Sequence, residues 1–349
     1  MLDPYLKSAL ADRGTMFKFK FSFIAVSALI SSRALAQTYV AQEVTTGGLA
    51  YAISGGIVGG YQGTPAHAML WSPSGSLDVH PAGYNFSTIL GMSGTTSVGY
   101  AGTTPMVWQG TNASALSVPF AYYSARASAT DGNQAVGMAY ETNVENLSGP
   151  AHAMLWDLST GAATDLGKNA TVSGVGGGAQ AGFKQGSKGT TAGFWRGTSN
   201  SYVSLHIKSA TVSVACDTNG TQQVGYTGVD IRVRNEAKPR DIRFYSAVVW
   251  NNSAANYQYL GSEYVHSFAL GIKGDTIVGY GNTSDAIGTP KFSRATAWIG
   301  PNYDYVNLHA YLPADMQTSR ATGVDENGNI VGYGVTTGGV MRSYVWIRQ

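Results

Sequence analysis

The stretch SRATGVDENGNIVGYGVTTGGVMRSYVWI, from Ser319 to Ile347, is the clearest copy of a unit that recurs along the chain. Apolar alternation predicts strands over 319–324, 329–334 and 342–347. The Asp, Asn and Gly residues at 325–328 have the composition of a hairpin turn. This copy therefore predicts three antiparallel strands in succession.

Two residue types mark every copy of this unit. A Val-Gly-Tyr step or a close variant places a glycine in the second strand seven times, at Gly59, Gly99, Gly137, Gly182, Gly225, Gly279 and Gly332. Each is followed by an apolar strand that ends in tryptophan, at Trp71, Trp108, Trp156, Trp195, Trp250, Trp298 and Trp346. These are all seven tryptophans of the protein. A rare residue confined to one position of a unit indicates a repeat architecture.

A fourth strand follows the tryptophan strand in every copy but the last. The predicted fourth strands are 76–80, 115–119, 163–167, 202–206, 257–261 and 305–309. The last copy is followed only by Arg348 and Gln349, whereas segment 38–44 is a strand without a repeat of its own. Joining this spare strand to the incomplete last unit hides two sheet edges at once.

The predicted fold class is all-β. Dividing residues 37–349 by seven gives units of about 45 residues, the size of a propeller blade. We therefore predict a single seven-bladed β-propeller domain over 37–349, with four-stranded blades and a ring closed by the N-terminal strand. An open β-solenoid is disfavoured because neither end carries a capping sequence.

Residues 1–36 are predicted to be an upstream extension and a secretory signal peptide. From Met16 the chain has a basic start, a short apolar core over 21–30 and a small-residue cleavage site at Ala34-Leu35-Ala36. The core is shorter than the roughly 20 residues that span a bilayer. We expect translation to begin at Met16, cleavage before Gln37, no stable membrane insertion afterwards, and an extracellular or periplasmic location.

Charge and cysteine content exclude several classes of protein. Residues 1–36 contain five basic and two acidic residues, so 17 basic and 18 acidic residues remain after cleavage. The formal charge of about −1 lacks the basic character of a nucleic-acid binder, and no nucleic-acid partner is predicted. Cys216 is the only cysteine, which excludes an intrachain disulfide and a cysteine-based zinc site. No motif for a cofactor or metal is present, and none is predicted.

The segment AHAMLW occurs twice, at 66–71 and at 151–156. With the Val-Gly steps upstream, it resembles the HAF-repeat family of extracellular bacterial proteins over residues 47–346. Only His67 and His152 carry the histidine of that motif; the equivalent residues elsewhere are Thr104, Thr191, Ser246, Arg294 and Arg342. The resemblance implies secretion and a repeat fold, and it supplies no catalytic residues.

The repeated tryptophans and the two histidines have structural interpretations. Seven equivalent strand positions are typical of packing between adjacent blades, whereas a sugar-stacking platform needs exposed rings. We therefore predict that the tryptophans are buried. His67 and His152 are predicted to form hydrogen bonds within their own blades, and metal ligation is disfavoured because they are two blades apart.

The insertions of this chain point to one face of the ring. Loops between the second and third strands share a face with the connections between blades, and loops on rigid scaffolds carry function. The insertion of blade 5, at 228–245, contains Arg232, Arg234, Arg240 and Arg243. With Tyr122 and Tyr123, these are the predicted ligand-binding residues, as a clamp for carboxylates or sulfates. The alternative is a solvated β-ribbon whose charges only keep it soluble.

Two functions remain open from the sequence. The favoured one is a secreted, non-catalytic propeller that binds an extracellular polysaccharide or other surface polymer. The alternative is a polysaccharide-degrading enzyme, a lyase before a hydrolase, with its site at the channel mouth. A lyase needs a Tyr or His base and an arginine that neutralises a uronate, and the candidates are Tyr264, His266, Arg126 and Arg320.

Overall fold

The computed structural model of the protein describes residues 38–119, 122–141, 151–233, 240–284 and 290–349. The predicted leader over 1–36 and Arg234 lie outside these residues. Within them, 28 strands form seven four-stranded antiparallel sheets, so the predicted seven-bladed propeller is confirmed. The only helices among these residues are single 3₁₀ turns, Ser199–Ser201 and Leu308–Tyr311, and no helix is long and apolar enough to span a membrane.

Each blade is a meander in which consecutive strands pair. Blade 1 contains β2 (Gly48–Ser54), β3 (Ile57–Gln62), β4 (His67–Ser72) and β5 (Gly75–Asp78). Blade 2 contains β6 (Ser87–Ser93), β7 (Thr96–Ala101), β8 (Thr104–Gln109) and β9 (Asn112–Ala115). Blade 3 contains β10 (Ser124–Thr130), β11 (Gln134–Tyr140), β12 (Ala151–Asp157) and β13 (Ala163–Lys168). Blade 4 contains β14 (Ala170–Gly176), β15 (Ala179–Gly186), β16 (Gly189–Trp195) and β17 (Val203–Ser204).

The remaining three blades follow the same order. Blade 5 contains β18 (Val212–Thr218), β19 (Gln223–Val233), β20 (Arg240–Ser253) and β21 (Asn256–Tyr259). Blade 6 contains β22 (His266–Lys273), β23 (Thr276–Ser284), β24 (Pro290–Ile299) and β25 (Asp304–Asn307). Blade 7 contains β26 (Met316–Val324), β27 (Ile330–Thr336), β28 (Met341–Arg348) and, as its outer strand, β1 (Tyr39–Thr46).

The N-terminal strand closes the ring as predicted. Strand β1 pairs antiparallel with β28 from Tyr39 opposite Arg348 to Thr46 opposite Arg342. The backbone N–H of Gln349 donates to the carbonyl of Thr38 at 3.0 Å, which extends the pairing to the last residue. The first and the last described strands therefore share one sheet, which gives blade 7 its fourth strand.

The repeated glycine is required by a bulge in the strand beside it. In every blade the first strand has a register shift where it pairs with the second. A Cβ on Gly99 would lie 1.9 Å from the carbonyl oxygen of Thr88, a distance that no side chain can occupy. The equivalent residue of blade 1 is Gly60, 1.9 Å from the carbonyl of Leu49, so the prediction of Gly59 was wrong by one residue.

The tryptophans are buried between blades, as predicted. Six are fully buried and Trp71 is 6% exposed. The indole N–H of Trp108 donates to the carbonyl of Val79, and that of Trp346 to the carbonyl of Leu308, at 2.9 Å each. Both acceptors belong to the preceding blade, so each bond joins two blades.

At six of the seven junctions an apolar residue in the fourth strand, or just after it, packs in the same cluster as the tryptophan of the next blade. These residues are buried at Val79, Leu116, Leu166, Leu205, Leu260 and Leu308. Their burial explains an error in the predicted strands. In blade 2 the apolar alternation was placed at 115–119, whereas the paired strand β9 ends at Ala115 and Leu116 turns into the core.

Candidate binding site at the channel mouth

The first strands of all seven blades surround a central channel. One end of it holds a cavity of about 410 Å³ lined by these strands and the turns that follow them. At the other end the first strands begin and the long loops between second and third strands project. We call this second end the channel mouth. It is the face on which the sequence predicted the functional surface.

The insertion of blade 5 forms a two-stranded ribbon at this face. Strands β19 and β20 have 11 and 14 residues, against six each for β7 and β8 of blade 2. Their pairing continues to Val233 opposite Arg240. Two free edges and alternating side chains are the features of a solvated ribbon, which was the alternative interpretation of this insertion.

Two arginines of the ribbon, Arg232 and Arg243, face acids of the same ribbon. Arg243 donates through Nε and one Nη to the two carboxylate oxygens of Asp230, at 2.6 and 2.9 Å. This pair lowers the pKa of Asp230 and raises that of Arg243. Arg232 lies 3.9 Å from Asp241 and is exposed. An acidic ligand at Arg243 would therefore compete with a carboxylate already in place.

The predicted ligand residues Tyr122 and Tyr123 have different surroundings. Tyr123 is 55% exposed. The hydroxyl of Tyr122 donates to Asp165 at 2.6 Å and lies 2.9 Å from Nδ1 of His152. Burial, followed by the hydrogen bond to Asp165, raises the pKa of Tyr122. Tyr122 therefore belongs to the packing of blade 3, whereas Tyr123 is free to contact a ligand.

The two histidines of the AHAMLW segments bind within their blades, as predicted. His67 lies 2.9 Å from Asp78, and His152 lies 2.8 Å from Asp165. Both acids are on the fourth strand of the same blade. His152 also lies 2.9 Å from Glu141. The histidine of this motif therefore links the third strand to the outer strand by a contact with an aspartate.

The four residues considered for a lyase are not brought together. His266 is fully buried, stacked against Phe244, and its Nδ1 accepts the backbone N–H of Tyr245 at 3.3 Å. The ring of Tyr264 packs over Gly281, and its hydroxyl accepts a hydrogen bond from Asn307 on the outer strand at 3.3 Å. Only the two arginines of the predicted set remain at the mouth.

Arg126 and Arg320 occupy equivalent positions on the first strands of blades 3 and 7. Their partners on the second strands are Met138 and Tyr333, the residues after the repeated glycine. The guanidinium of Arg320 lies 4.4 Å from the ring centre of Tyr280, and that of Arg126 lies 5.7 Å from the ring centre of Tyr100. Each arginine is thus stacked on a tyrosine of the preceding blade.

Tyrosines surround this end of the channel. The residue after the repeated glycine is aromatic in six blades and is a tyrosine in five: Tyr61, Tyr100, Tyr226, Tyr280 and Tyr333. Blades 3 and 4 have Met138 and Phe183 there. Tyr51, in the bulge of blade 1, also lines the cavity of about 410 Å³. It joins the set with ring centres 6.1 Å from Tyr61 and 6.2 Å from Tyr333. We call these six tyrosines the tyrosine ring.

Within the described ranges, the hydroxyls of the tyrosine ring make no hydrogen bond to the protein. All six side chains are half-buried, yet none of their hydroxyls has a hydrogen-bond partner in the described part of the chain, and none is sealed from solvent. By contrast, the hydroxyl of Tyr202 lies 3.3 Å from two backbone carbonyls. Burial raises the pKa of Tyr51, Tyr61, Tyr226 and Tyr280, so these phenols stay protonated donors.

A pocket of about 510 Å³ opens beside the ring between blades 4 and 6. Its walls include Phe183, Tyr226, Tyr245 and Phe268, with Arg243 at its edge. The ring centres of Tyr226 and Phe268 are 5.0 Å apart. Apolar walls with a few polar groups are typical of small-molecule and sugar subsites.

Sequence reasoning used the glycine of the Val-Gly-Tyr step and overlooked the tyrosine. Strand alternation places that tyrosine on one face in every copy, so its recurrence was a signal for a shared surface. The sequence could not show that the hydroxyls lack partners, because this depends on side chains from neighbouring blades.

The cavity at the opposite end contains one unusual acid. Asp217 accepts the backbone N–H groups of Thr218 at 2.8 Å and of Ile272, in blade 6, at 2.9 Å. Burial outweighs these bonds and raises the pKa of Asp217 to about 7. The side chain is only half-buried because it borders the cavity.

The comparisons with known proteins identify the fold only. No family model and no curated protein matches the chain, so the resemblance to the HAF-repeat family stays a prediction. Among solved structures, an oligogalacturonate lyase in complex with manganese has a TM-score of 0.56 at 10% identity, over 90% of this chain and 96% of that one. The tricorn protease has a TM-score of 0.54 at 9% identity, over 88% of this chain and 34% of that one.

A third solved structure is more distant. The β-propeller domain of the Trilobed protease from Pyrococcus furiosus has a TM-score of 0.38 at 10% identity, over 88% of this chain and 93% of that one. The lyase structure contains manganese. In the described ranges of this chain, no three His, Cys, Asp or Glu side chains are arranged to hold a metal ion.

Proposed function

We propose that the protein is a secreted propeller that binds an extracellular carbohydrate or other surface polymer at the tyrosine ring. The observation that carries this proposal is the set of six half-buried tyrosines whose hydroxyls have no partner in the described part of the fold. A tyrosine kept only for packing would need no hydroxyl, and hydroxyls that reach solvent without a protein partner are available to a ligand. A bound ligand with its own hydroxyl or acid groups satisfies them.

The chemistry of the ring suits a sugar. Tyrosine offers an apolar ring face and a polar tip, which match the apolar face and the hydroxyl edge of a pyranose. The channel mouth repeats this combination in five of the seven blades. Tyr123 and the pocket beside Tyr226 and Phe268 extend the same type of surface beyond the ring.

Binding is favoured over catalysis by the groups present. A lyase base must give up its proton near neutral pH, and burial raises the pKa of the tyrosines at the mouth. His266, the other candidate base, is fully buried. The likeness to an oligogalacturonate lyase, at 10% identity, concerns the fold and does not supply the missing base.

The test is a binding screen with matched tyrosine variants. The purified protein is applied to immobilised acidic and neutral polysaccharides, and the affinity of any ligand found is measured by calorimetry. Tyr100→Phe, Tyr280→Phe and Tyr333→Phe together should weaken binding about 10- to 100-fold, because each removes one hydrogen bond to the ligand. Tyr257→Phe with Tyr259→Phe, on the outer strand of blade 5, is the control.

Two results would contradict this function. One is the absence of binding to every polysaccharide; the other is a ligand whose affinity is unchanged in the triple variant. Absorbance from unsaturated products during the same incubations would instead support the lyase alternative.

A further inference from the structure

Two charged side chains at the mouth have no carboxylate partner in the described part of the chain. Among the residues that the structure describes, no carboxylate lies within ion-pair distance of Arg126 or Arg320, although both are half-buried. Other arginines are paired: Arg243 with Asp230 at 2.6 Å, and Arg342 with Asp315 at 3.5 Å. A half-buried guanidinium held only by an aromatic face keeps several N–H donors free for an anion.

These two arginines are exceptions at their repeat position. The other five blades have Leu49, Thr88, Thr171, Val214 and Phe268 there. None of these five is charged, so the position itself does not require a cation for packing. Blades 3 and 7 lie on opposite sides of the mouth, with blades 1 and 2 between them on the shorter path.

Five tyrosines lie along that path between the two arginines, with ring contacts from Tyr333 through Tyr51 to Tyr61. This line begins at Tyr280, under Arg320, and continues through Tyr333, Tyr51 and Tyr61 to Tyr100, under Arg126. A single sugar unit reaches one arginine only, whereas a chain along this line reaches both.

We propose that the ligand is an acidic polysaccharide chain that lies along this arc, with acid groups paired to Arg320 and Arg126 and sugar rings on the tyrosines between them. This inference rests on the proposed function and adds the charge and the minimum extent of the ligand. Guanidinium pairs carboxylate and sulfate groups bidentately, which fits uronate and sulfated sugars alike. The ribbon arginines predicted from the sequence are not required, because Arg243 is already paired.

A small free anion does not explain the arrangement. It would be bound by one arginine and would leave the second unpaired on the opposite side of the mouth. A single-stranded nucleic acid also combines phosphates with stacking on aromatic rings. The formal charge of about −1 of the chain beyond the predicted leader does not separate these two polyanions, so single-stranded DNA is included among the probes.

The experiment measures affinity against chain length with the full protein. The probes are uronic acid oligosaccharides of two to ten units that have no unsaturated end, neutral glucose oligomers of the same lengths, and single-stranded DNA of equal charge. The variants are Arg126→Met, Arg320→Met and both together, since methionine keeps the contact with the tyrosine ring and removes the charge. Arg320→Lys tests whether charge alone restores binding.

Arg196→Met is the matched control. Arg196 also lies over an aromatic ring, 5.4 Å from the centre of Phe194, but it follows the third strand and so belongs to the opposite face of the ring. A melting curve of each variant establishes that it is folded.

We expect affinity for uronic acid chains to rise steeply once the chain spans both arginines. For the long chains each methionine variant should lose about 10- to 150-fold, with the double variant losing the product of the two and Arg196→Met losing nothing. For the shortest chains the double variant should lose no more than the larger single effect. The salt dependence should also become weaker with each arginine removed.

The outcomes separate the two proposals. If neutral and acidic chains bind equally and depend on the tyrosines but not on the arginines, this inference is overturned while the proposed function stands. Short chains that bind as tightly as long ones overturn the spanning arrangement. Binding of DNA in preference to every sugar overturns the polysaccharide assignment. If no sugar of any length binds, the proposed function fails and the inference with it.

Discussion

The hydroxyl of Ser343, on the third strand of blade 7, accepts the backbone N–H of Ala50, on the first strand of blade 1, at 3.0 Å. The same hydroxyl donates to the carbonyl of Gly48 at 3.1 Å. At four other junctions the serine is on the first strand and accepts an N–H from the third strand of the preceding blade: Ser87 from Ala68, Ser213 from Ala192, Ser267 from Ala247 and Ser319 from Ala295.

The closing junction therefore keeps the bond between blades but supplies the hydroxyl from the opposite side. Gly48 occupies the first-strand position where the other junctions have serine, and Ser343 occupies the third-strand position where they have alanine. Blade 2 has Pro105 at that position, which has no N–H to donate, and its partner position on the next blade is Ala125. The hydroxyl is thus absent where blade 2 has no N–H to donate, and it is also absent between blades 3 and 4, where the two positions are Ala153 and Ala170.

Removal of the closing hydroxyl should weaken the ring. Ser343→Ala leaves the buried N–H of Ala50 and the carbonyl of Gly48 without this partner, so we expect a loss of about 1–2 kcal/mol in the free energy of unfolding. Ser76→Ala, on the exposed fourth strand of blade 1, is the control. Denaturant unfolding followed by tryptophan fluorescence measures both. Equal stability of Ser343→Ala and the wild type would show that the bond does not contribute to closure.

The repeated glycine should be intolerant of even one methyl group. Gly99→Ala places a Cβ 1.9 Å from the carbonyl oxygen of Thr88, which forces the first and second strands of blade 2 apart. We expect a loss of at least about 3 kcal/mol or failure to fold. Gly261 has open space around its Cβ position and no positive φ, so Gly261→Ala should remain near wild-type stability. Thermal melting of the two variants decides; a folded, stable Gly99→Ala would refute the bulge explanation.

Asp217 should make stability depend on pH. Burial raises its folded-state pKa to about 7 from an ordinary value near 3.8. As far as Asp217 is concerned, the protein is therefore most stable below about pH 4, where Asp217 is protonated in both states, and it loses stability as the pH rises to about 7. Asp217→Asn does not ionise and keeps an acceptor for the N–H of Ile272. Its stability relative to the wild type should therefore increase across this window, by on the order of 2 kcal/mol.

Melting temperatures at pH 4, 5.5 and 7 check this. Asp241→Asn, at an exposed position, is the control. Its melting temperature should change with pH as that of the wild type does, because Asp217 is still present. A constant difference between Asp217→Asn and the wild type from pH 4 to pH 7 would mean that Asp217 ionises normally in the folded protein.

The hydroxyls of the tyrosine ring should be dispensable for folding. Tyr100→Phe and Tyr280→Phe remove groups that have no partner among the described residues, so stability should change by less than about 0.5 kcal/mol. Tyr202→Phe removes a hydroxyl that contacts the carbonyls of Thr191 and Ala192 and should cost about 1 kcal/mol. A large loss in Tyr100→Phe or Tyr280→Phe would indicate a structural role for these hydroxyls.

The fold was predictable because its determinants repeat. A tryptophan that needs a dry interface and a glycine that faces a bulged strand must recur once per blade, and the unpaired segment 38–44 identified the closing strand. Details that depend on one blade alone were missed. The fourth strand of blade 2 was shifted because buried Leu116 continues the apolar alternation past the last paired residue, Ala115.

The candidate site was less predictable because it depends on how blades meet. Arg126 and Arg320 were recognised by residue type, and the structure places each on a tyrosine of the preceding blade. Tyr264 and His266 were recognised on the same grounds, yet packing over Gly281 and beside Phe244 removes them from the mouth. Residue types along the chain carry no information about which side chains become buried at a blade junction.

The most direct test of the account is a crystal structure of the protein with an acidic oligosaccharide that it binds. We predict sugar density across the channel mouth, with hydroxyl or acid oxygens within hydrogen-bond distance of the phenols of Tyr100, Tyr280 and Tyr333. Density on the blade 5 ribbon, or in the cavity beside Asp217, with the tyrosine ring left uncovered, would contradict it.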